Sequence, residues 1–225
     1  MREIVLDTET TGFKPEEGHR VIEIGCVELI NHLPSGQTRQ WYINPEREVP
    51  EDAVRVHGIT TAFLADKPLF REIAVEFLDF MADSPLIAHN ATFDVNFLNA
   101  ELKRLALPGV APGRTVIDTV QLARQKFPGA GASLDALCKR FGIDNSGRSL
   151  HGALLDSTLL AEVYLELLGG RQTGFTLASP GTVAQTQTRI TRTPRPARPH
   201  APSAEEQEAH GALLKKLKAP LWLAQ

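Results

Sequence analysis

Asp7 and Glu9 close an apolar run, Ile4-Val5-Leu6, near the start of the chain. Side chains two apart on a strand point to one face, so both carboxylates share one side of a strand end. Thr10, Thr11 and Gly12 are expected to form the turn beyond it. Two like charges that close repel, and burial beside an apolar core raises the cost. A divalent cation relieves this, because it carries the opposite charge and prefers oxygen ligands. Further along stand Asp94, in His89-Asn90-Ala91-Thr92-Phe93-Asp94, and His151 followed by Asp156. Four acids and one histidine suit a two-metal phosphodiesterase, in which ions ~3.5–4 Å apart polarise the attacking water and stabilise the departing oxygen. An unperturbed histidine titrates near ~6.5, so His151 is competent to take the water's proton at neutral pH.

Taken singly these residues say little, since an acid at a strand end more often caps a turn or faces solvent. A zinc site would need clustered His and Cys, and Cys26 and Cys138 stand far apart without a paired ligand motif. No glycine-rich phosphate loop or nucleophile elbow is present. The order and joint occurrence of the acids carry the reading.

The elements that must position them are legible as periodicity. Three strands, Arg2–Asp7, Val21–Ile30 and Thr38–Ile43, are separated by short connectors of Gly, Pro, Asn and Ser, which fits hairpins. Past Pro50 the spacing turns helical, and Leu69, Ile73, Phe77 and Phe80/Met81 predict an amphipathic helix over 69–83. A short buried strand at 85–88 and another at Thr115-Val116-Ile117 alternate with helices at about 94–106, 118–126, 133–141 and 152–168. The expected fold is α/β, a mixed five-stranded sheet flanked by helices. Asp94 falls at the start of a helix after a strand and Asp156 one turn into another. The crevice outside the carboxyl ends of the strands is where such folds place their chemistry.

The chain has 225 residues and a formal net charge of −3, distributed unevenly. Residues 1–170 hold 16 Lys/Arg against 24 Asp/Glu, whereas residues 171–225 hold 8 against 3. An acidic body is a poor general binder of nucleic acid, whose affinity comes mostly from phosphate neutralisation; a polynucleotide would be held over few nucleotides. No apolar run approaches the ~20 residues needed to cross a bilayer, and no basic-then-apolar leader opens the chain. Both cysteines lie on apolar stretches and suit a reducing compartment, so no membrane contact and a cytoplasmic location are expected. After Gly169-Gly170 the composition changes: residues 171–204 are rich in Thr, Pro, Gln, Ala and Arg, without Asp or Glu, and read as a flexible linker. Residues 205–225 read as a helix followed by a docking peptide ending in Leu221-Trp222-Leu223.

Asp7-Thr8-Glu9-Thr10-Thr11-Gly12, the segment His89–Asp94, and His151-Gly152-Ala153-Leu154-Leu155-Asp156 resemble the three exonuclease motifs of the DEDDh family. Within that family the chain most resembles the proofreading epsilon subunits of bacterial DNA polymerase III. The likeness continues through Val56-His57-Gly58-Ile59, Lys126-Phe127-Pro128-Gly129, Ser133–Cys138 and Ile143–Ser146, and covers about 1–170. It implies a ribonuclease-H-like fold that removes nucleotides from the single-stranded 3′ end of DNA. It also implies two Mg²⁺ or Mn²⁺ ions on Asp7, Glu9, Asp94 and Asp156, with His151 as general base. Asp7, Glu9, Thr10, His57, Phe93, Asp156, and Asp52 or its neighbour Glu51, would touch the terminal nucleotide. Gln172-Thr173-Gly174-Phe175-Thr176-Leu177 resembles a sliding-clamp-binding peptide, through Gln172, Phe175 and Leu177. Leu221 and Trp222 resemble the anchor on the polymerase alpha subunit.

The motifs do not separate this activity from that of a DEDDh ribonuclease trimming RNA ends, whose chemistry is the same. The 55-residue appendage favours the polymerase subunit. A non-catalytic adaptor bridging polymerase and clamp is the reading from another class, and the complete set of five site residues speaks against it.

Overall fold

In a computed structural model of the chain, residues 1–110, 113–148, 150–170 and 201–216 are described. β1 (Arg2–Thr10), β2 (Val21–Ile30) and β3 (Leu33–Tyr42) form an antiparallel meander. After a short 3₁₀ turn at Pro15–Glu17 within the first connection, and the two helices α1 (Glu51–His57) and α2 (Thr61–Leu64), the chain alternates. There follow α3 (Phe70–Met81), β4 (Leu86–Ala88), α4 (Ala91–Arg104), β5 (Val116–Asp118), α5 (Thr119–Lys126), α6 (Leu134–Phe141) and α7 (Ala153–Leu168). The sheet order is β3-β2-β1-β4-β5, with β4 parallel to both β1 and β5. This is the mixed five-stranded α/β sheet that the periodicity predicts.

Strand alternation divides the core. Ile4 and Leu6 of β1 face one side and pack with Phe70, Phe77, Phe97 and Leu98 of α3 and α4. Val5 faces the other and packs with Leu137, Cys138, Leu160 and Val163 of α6 and α7. β1 is therefore covered on both faces over Ile4, Val5 and Leu6. Cys26 and Cys138 are buried free thiols. Among the described residues no helix is long and apolar enough to cross a membrane.

Several elements differ from the sequence expectation, and α4 starts at Ala91 rather than about 94. β1 continues through Thr10 with an irregularity between Glu9 and Thr10, so Thr10 belongs to the strand rather than the turn. β3 begins at Leu33, because Asn31 and His32 both adopt positive φ (52° and 68°) and make a tight two-residue hairpin; its first residues are an exposed sheet edge without apolar alternation. α1 has no apolar period because His57 is its one buried residue. Its ends instead carry Glu51 and Asp52 at the start and Arg55 and His57 at the finish, the arrangement that the helix dipole favours.

Residues 201–216 belong to a separate unit. There α8 (Ala204–Leu214) is capped by Ser203, whose hydroxyl accepts from Glu206 N–H while the Glu206 carboxylate accepts from Ser203 N–H. It buries no residue. The linker at 171–200 and the peptide residues Gln172, Phe175, Leu177, Leu221 and Trp222 lie outside the described residues.

Candidate active site

Beyond the covered part of β1, Asp7 and Glu9 follow Val5 on the α7 side, as alternation requires. Glu9 pairs across the ladder with Glu23 of β2, and Asp7 with Gly25. Gly25 is the contact point for α7: a Cβ there would lie 2.2 Å from the carbonyl carbon of Ala153. A side chain at that position would push the helix away. The Ser157 hydroxyl donates to Gly25 O at 2.9 Å, and the Glu23 carboxylate accepts from Ala153 N–H at 3.2 Å. Seated in this way, the first turn of α7 delivers Asp156, 3% exposed, beside Glu9.

Asp94 arrives from the opposite side of the sheet. It lies in the first turn of α4, is 2% exposed, and accepts a 2.7 Å hydrogen bond from the Thr8 hydroxyl. Thr8 faces α4 because it alternates with Asp7 and Glu9. The turn that starts α4 is held by Asn90 at φ 68°, whose N–H donates to the Asp118 carboxylate. Asp7, Glu9, Phe93, Asp94, His151 and Asp156 thus line one cleft of about 290 Å³. His151 is tied to α1 by its backbone N–H to Val56 O, and its side chain is half exposed. Candidate ligand atoms of Glu9, His151 and Asp156 lie within 4.8 Å of one another.

Convergence has an electrostatic cost. Burial, then the charges of Asp94, Glu9 and Asp156, push the Asp7 carboxyl well above the ordinary carboxylate range. Burial, with Glu23 and Asp156, raises Glu9 from 4.5 to about 8. Burial raises Asp94 to about 7 against the opposing Thr8 hydrogen bond. Three carboxyls that resist ionisation, all made of hard oxygen donors, fit a divalent cation, which would restore their charged forms.

A second cleft of about 320 Å³ adjoins the first, with Glu9 and Phe93 on the shared wall. Thr10, Gly12, Phe13, Asp52, Val56 and His57 line it, and Glu51 is not among its lining residues. The Thr10 hydroxyl donates to Gly12 O at 2.6 Å. His57 is buried, accepts from Ile59 N–H at Nδ1, and has no partner for Nε2 among the described residues. Burial lowers its pKa, so it is neutral at neutral pH. Asp52 is exposed and pairs with Arg55.

Arg148, Glu23 and Gly25 escape the reading of the sequence. Arg148 sits in the loop between α6 and α7 and holds Asp156 with two hydrogen bonds. Its signal was an isolated cation three residues before His151 in a body rich in acids. Gly25 was visible as a glycine inside a strand, a mark of close approach. Glu23 was visible as an acid inside a buried apolar run.

Known proteins share both the sequence and the fold. The exonuclease family model matches residues 4–164. The DNA polymerase III subunit epsilon of Salmonella typhimurium is 45% identical over 238 residues, spanning 99% of this chain and 98% of that protein. That of Rickettsia felis is 56% identical over 177 residues, 78% of this chain and 77% of that protein. Among solved structures, exonuclease X in complex with 5′-overhanging duplex DNA is 27% identical with a TM-score of 0.59, covering 73% of this chain and 90% of that one. The nuclease domain of 3′hExo, a DEDDh family member bound to rAMP, shares the fold with a TM-score of 0.65 at 23% identity, over 74% of this chain and 91% of that one.

Proposed function

The chain belongs to the exonuclease family, with the epsilon subunits of DNA polymerase III, and from that premise we propose that this 3′–5′ exonuclease edits mispaired primer ends for a replicative polymerase. The meeting of Asp7, Glu9, Asp94 and Asp156 with His151 in one cleft carries the reading. The four carboxylates would hold two divalent cations, Mg²⁺ or Mn²⁺. When bound, such ions supply polarisation of the attacking water and stabilisation of the departing oxygen. His151 takes the water's proton at its ring nitrogen free of hydrogen, and its half-exposed position lets it pass that proton to solvent.

The second cleft receives the terminal nucleotide. Phe93 and Val56 offer apolar surface for the base, and Thr10, His57 and Asp52 offer polar groups for the sugar and its 3′ hydroxyl. A mispaired end frays cheaply into the single strand such a cleft admits, which is the source of selectivity. The acidic body holds only a few nucleotides, so retention on DNA falls to partners. Residues 1–170 act as the nuclease domain and residues 171–204 as a linker. The peptide ending in Leu221 and Trp222 docks on the polymerase alpha subunit, and Gln172, Phe175 and Leu177 on the sliding clamp. Tryptophan suits an anchor because it buries much area at little entropic cost. These roles place the protein in the cytoplasm. Pulldown of the polymerase subunit with the full chain and with a chain lacking residues 205–225 tests the docking role. Equal recovery from both would remove it. Rates on matched DNA and RNA 3′ ends test the substrate, and a preference for RNA would overturn the editing role.

A further inference from the structure

Arg148 contacts three residues that line the first cleft, Asp135, His151 and Asp156. Its Nε donates to Asp156 Oδ1 at 2.5 Å, its Nη2 to Asp156 Oδ2 at 2.7 Å, and its Nη1 to Asp135 Oδ1 at 2.8 Å. Nη2 also lies 2.8 Å from His151 Nδ1. The side chain is only 9% exposed, so this fork is packed in place.

Guanidinium has five donors and no acceptor, so both oxygens of Asp156 face a fixed positive charge, which opposes a dication on the same oxygens. Arg148 also touches His151, whose Nδ1 lies 3.3 Å from Asp156 Oδ2. Asp156 and His151 are two of the three groups that, with Glu9, approach closely enough to share an ion.

We propose that Arg148 is a displaceable latch: its guanidinium and a divalent cation compete for the carboxylate of Asp156. On release from Asp156 the guanidinium keeps its bond to Asp135, whose side chain is 62% exposed at the rim of the cleft. Arg148 is a positioning residue in this scheme, since it acts through Asp156. The inference rests on the function proposed above.

The test is calorimetric titration of the metal-stripped full-length protein with Mn²⁺, for wild type, Arg148→Met and Arg148→Lys. Removing the competing charge in Arg148→Met is expected to tighten Mn²⁺ binding about tenfold, the equivalent of ~1.4 kcal/mol. Lysine keeps the charge but cannot bridge three acceptors, so Arg148→Lys should tighten binding by less, and it decides the matter if the methionine variant does not fold. Unchanged or weaker Mn²⁺ binding in the variants overturns the latch. A wild type that binds Mn²⁺ while the variants bind no tighter removes the latch alone, whereas a wild type that binds none also removes the two-ion function.

Discussion

Substituting Glu9→Gln in the metal-free protein should stabilise it above neutral pH, by an amount that falls as pH falls. In the folded state the Glu9 carboxyl keeps its proton up to about 8, against 4.5 for an ordinary glutamate, because it is buried beside Glu23 and Asp156. At ~1.36 kcal/mol per pKa unit the full difference is on the order of 5 kcal/mol. Glutamine preserves the shape and removes the charge, but its amide needs hydrogen-bond partners in a site built for oxygens, so roughly half of that gain should survive. The sign is set by which state holds the proton. Well below 4.5 the carboxyl is protonated in both states, the electrostatic gain vanishes, and only the cost of the amide remains, so the variant should be the less stable there by roughly 2–3 kcal/mol. As pH rises from 4.5 to 8 the folded wild type is progressively penalised, while the variant is not. Above 8 the gap should be full, about 5–10 °C in melting temperature for a chain of this size. Thermal unfolding in a chelator at one pH below 4.5 and one above 8 measures it. Addition of Mn²⁺ should reverse the order, because the wild type gains a ligand that the variant holds poorly. A variant no more stable than wild type above 8, or a difference that does not move in the variant's favour as pH rises, would refute the claim that this carboxylate is held under electrostatic load.

His151→Ala should cut cleavage by about 10²–10⁴-fold, the usual worth of a positioned base, with an unchanged circular dichroism spectrum; activity within a few-fold of wild type would remove the base assignment. Gly25→Ala should cost both stability and cleavage, since its Cβ would fall 2.2–2.4 Å from backbone atoms of Ala153 and Leu154 and displace the turn that carries Asp156. Wild-type activity and melting temperature in that variant would show that α7 does not depend on the close approach. Tyr164→Phe should lower stability by about 1–3 kcal/mol in urea unfolding, because the tyrosine hydroxyl donates at 3.0 Å to the fully buried Glu3 carboxylate. His32 Nδ1 also lies 2.7 Å from that carboxylate, within ion-pair distance although outside hydrogen-bond geometry. A loss under a few tenths of a kcal/mol would show that this second contact suffices.

Much of the site was legible because its residues occupy positions that periodicity defines. The alternation of Ile4, Val5 and Leu6 between two cores predicts that Asp7 and Glu9 emerge together, and they do. The helical spacing from 69 to 83 and the strand at 86–88 place Asp94 at a helix start. What escaped has no period to read. Arg148 is a loop residue whose meaning comes from contacts with Asp135, His151 and Asp156, thirteen, three and eight positions away. The short α1 has one buried residue, and β3 starts early through two positive-φ residues rather than any glycine. The pairing of His32 with Glu3 has no signal in the sequence, because only the tertiary fold reveals that Glu3 is buried.

Primer–templates labelled at the 5′ end, with the last base either paired or mispaired, put the central claim to its most direct measurement when incubated with the protein in Mg²⁺ and in chelator. Acids drawn from both faces of one sheet into a cation-holding nuclease centre predict stepwise shortening from the 3′ terminus, in Mg²⁺ only and faster on the mispaired end. Folded protein that leaves both ends intact with Mg²⁺ and with Mn²⁺, or that shortens them equally well in chelator, would contradict it.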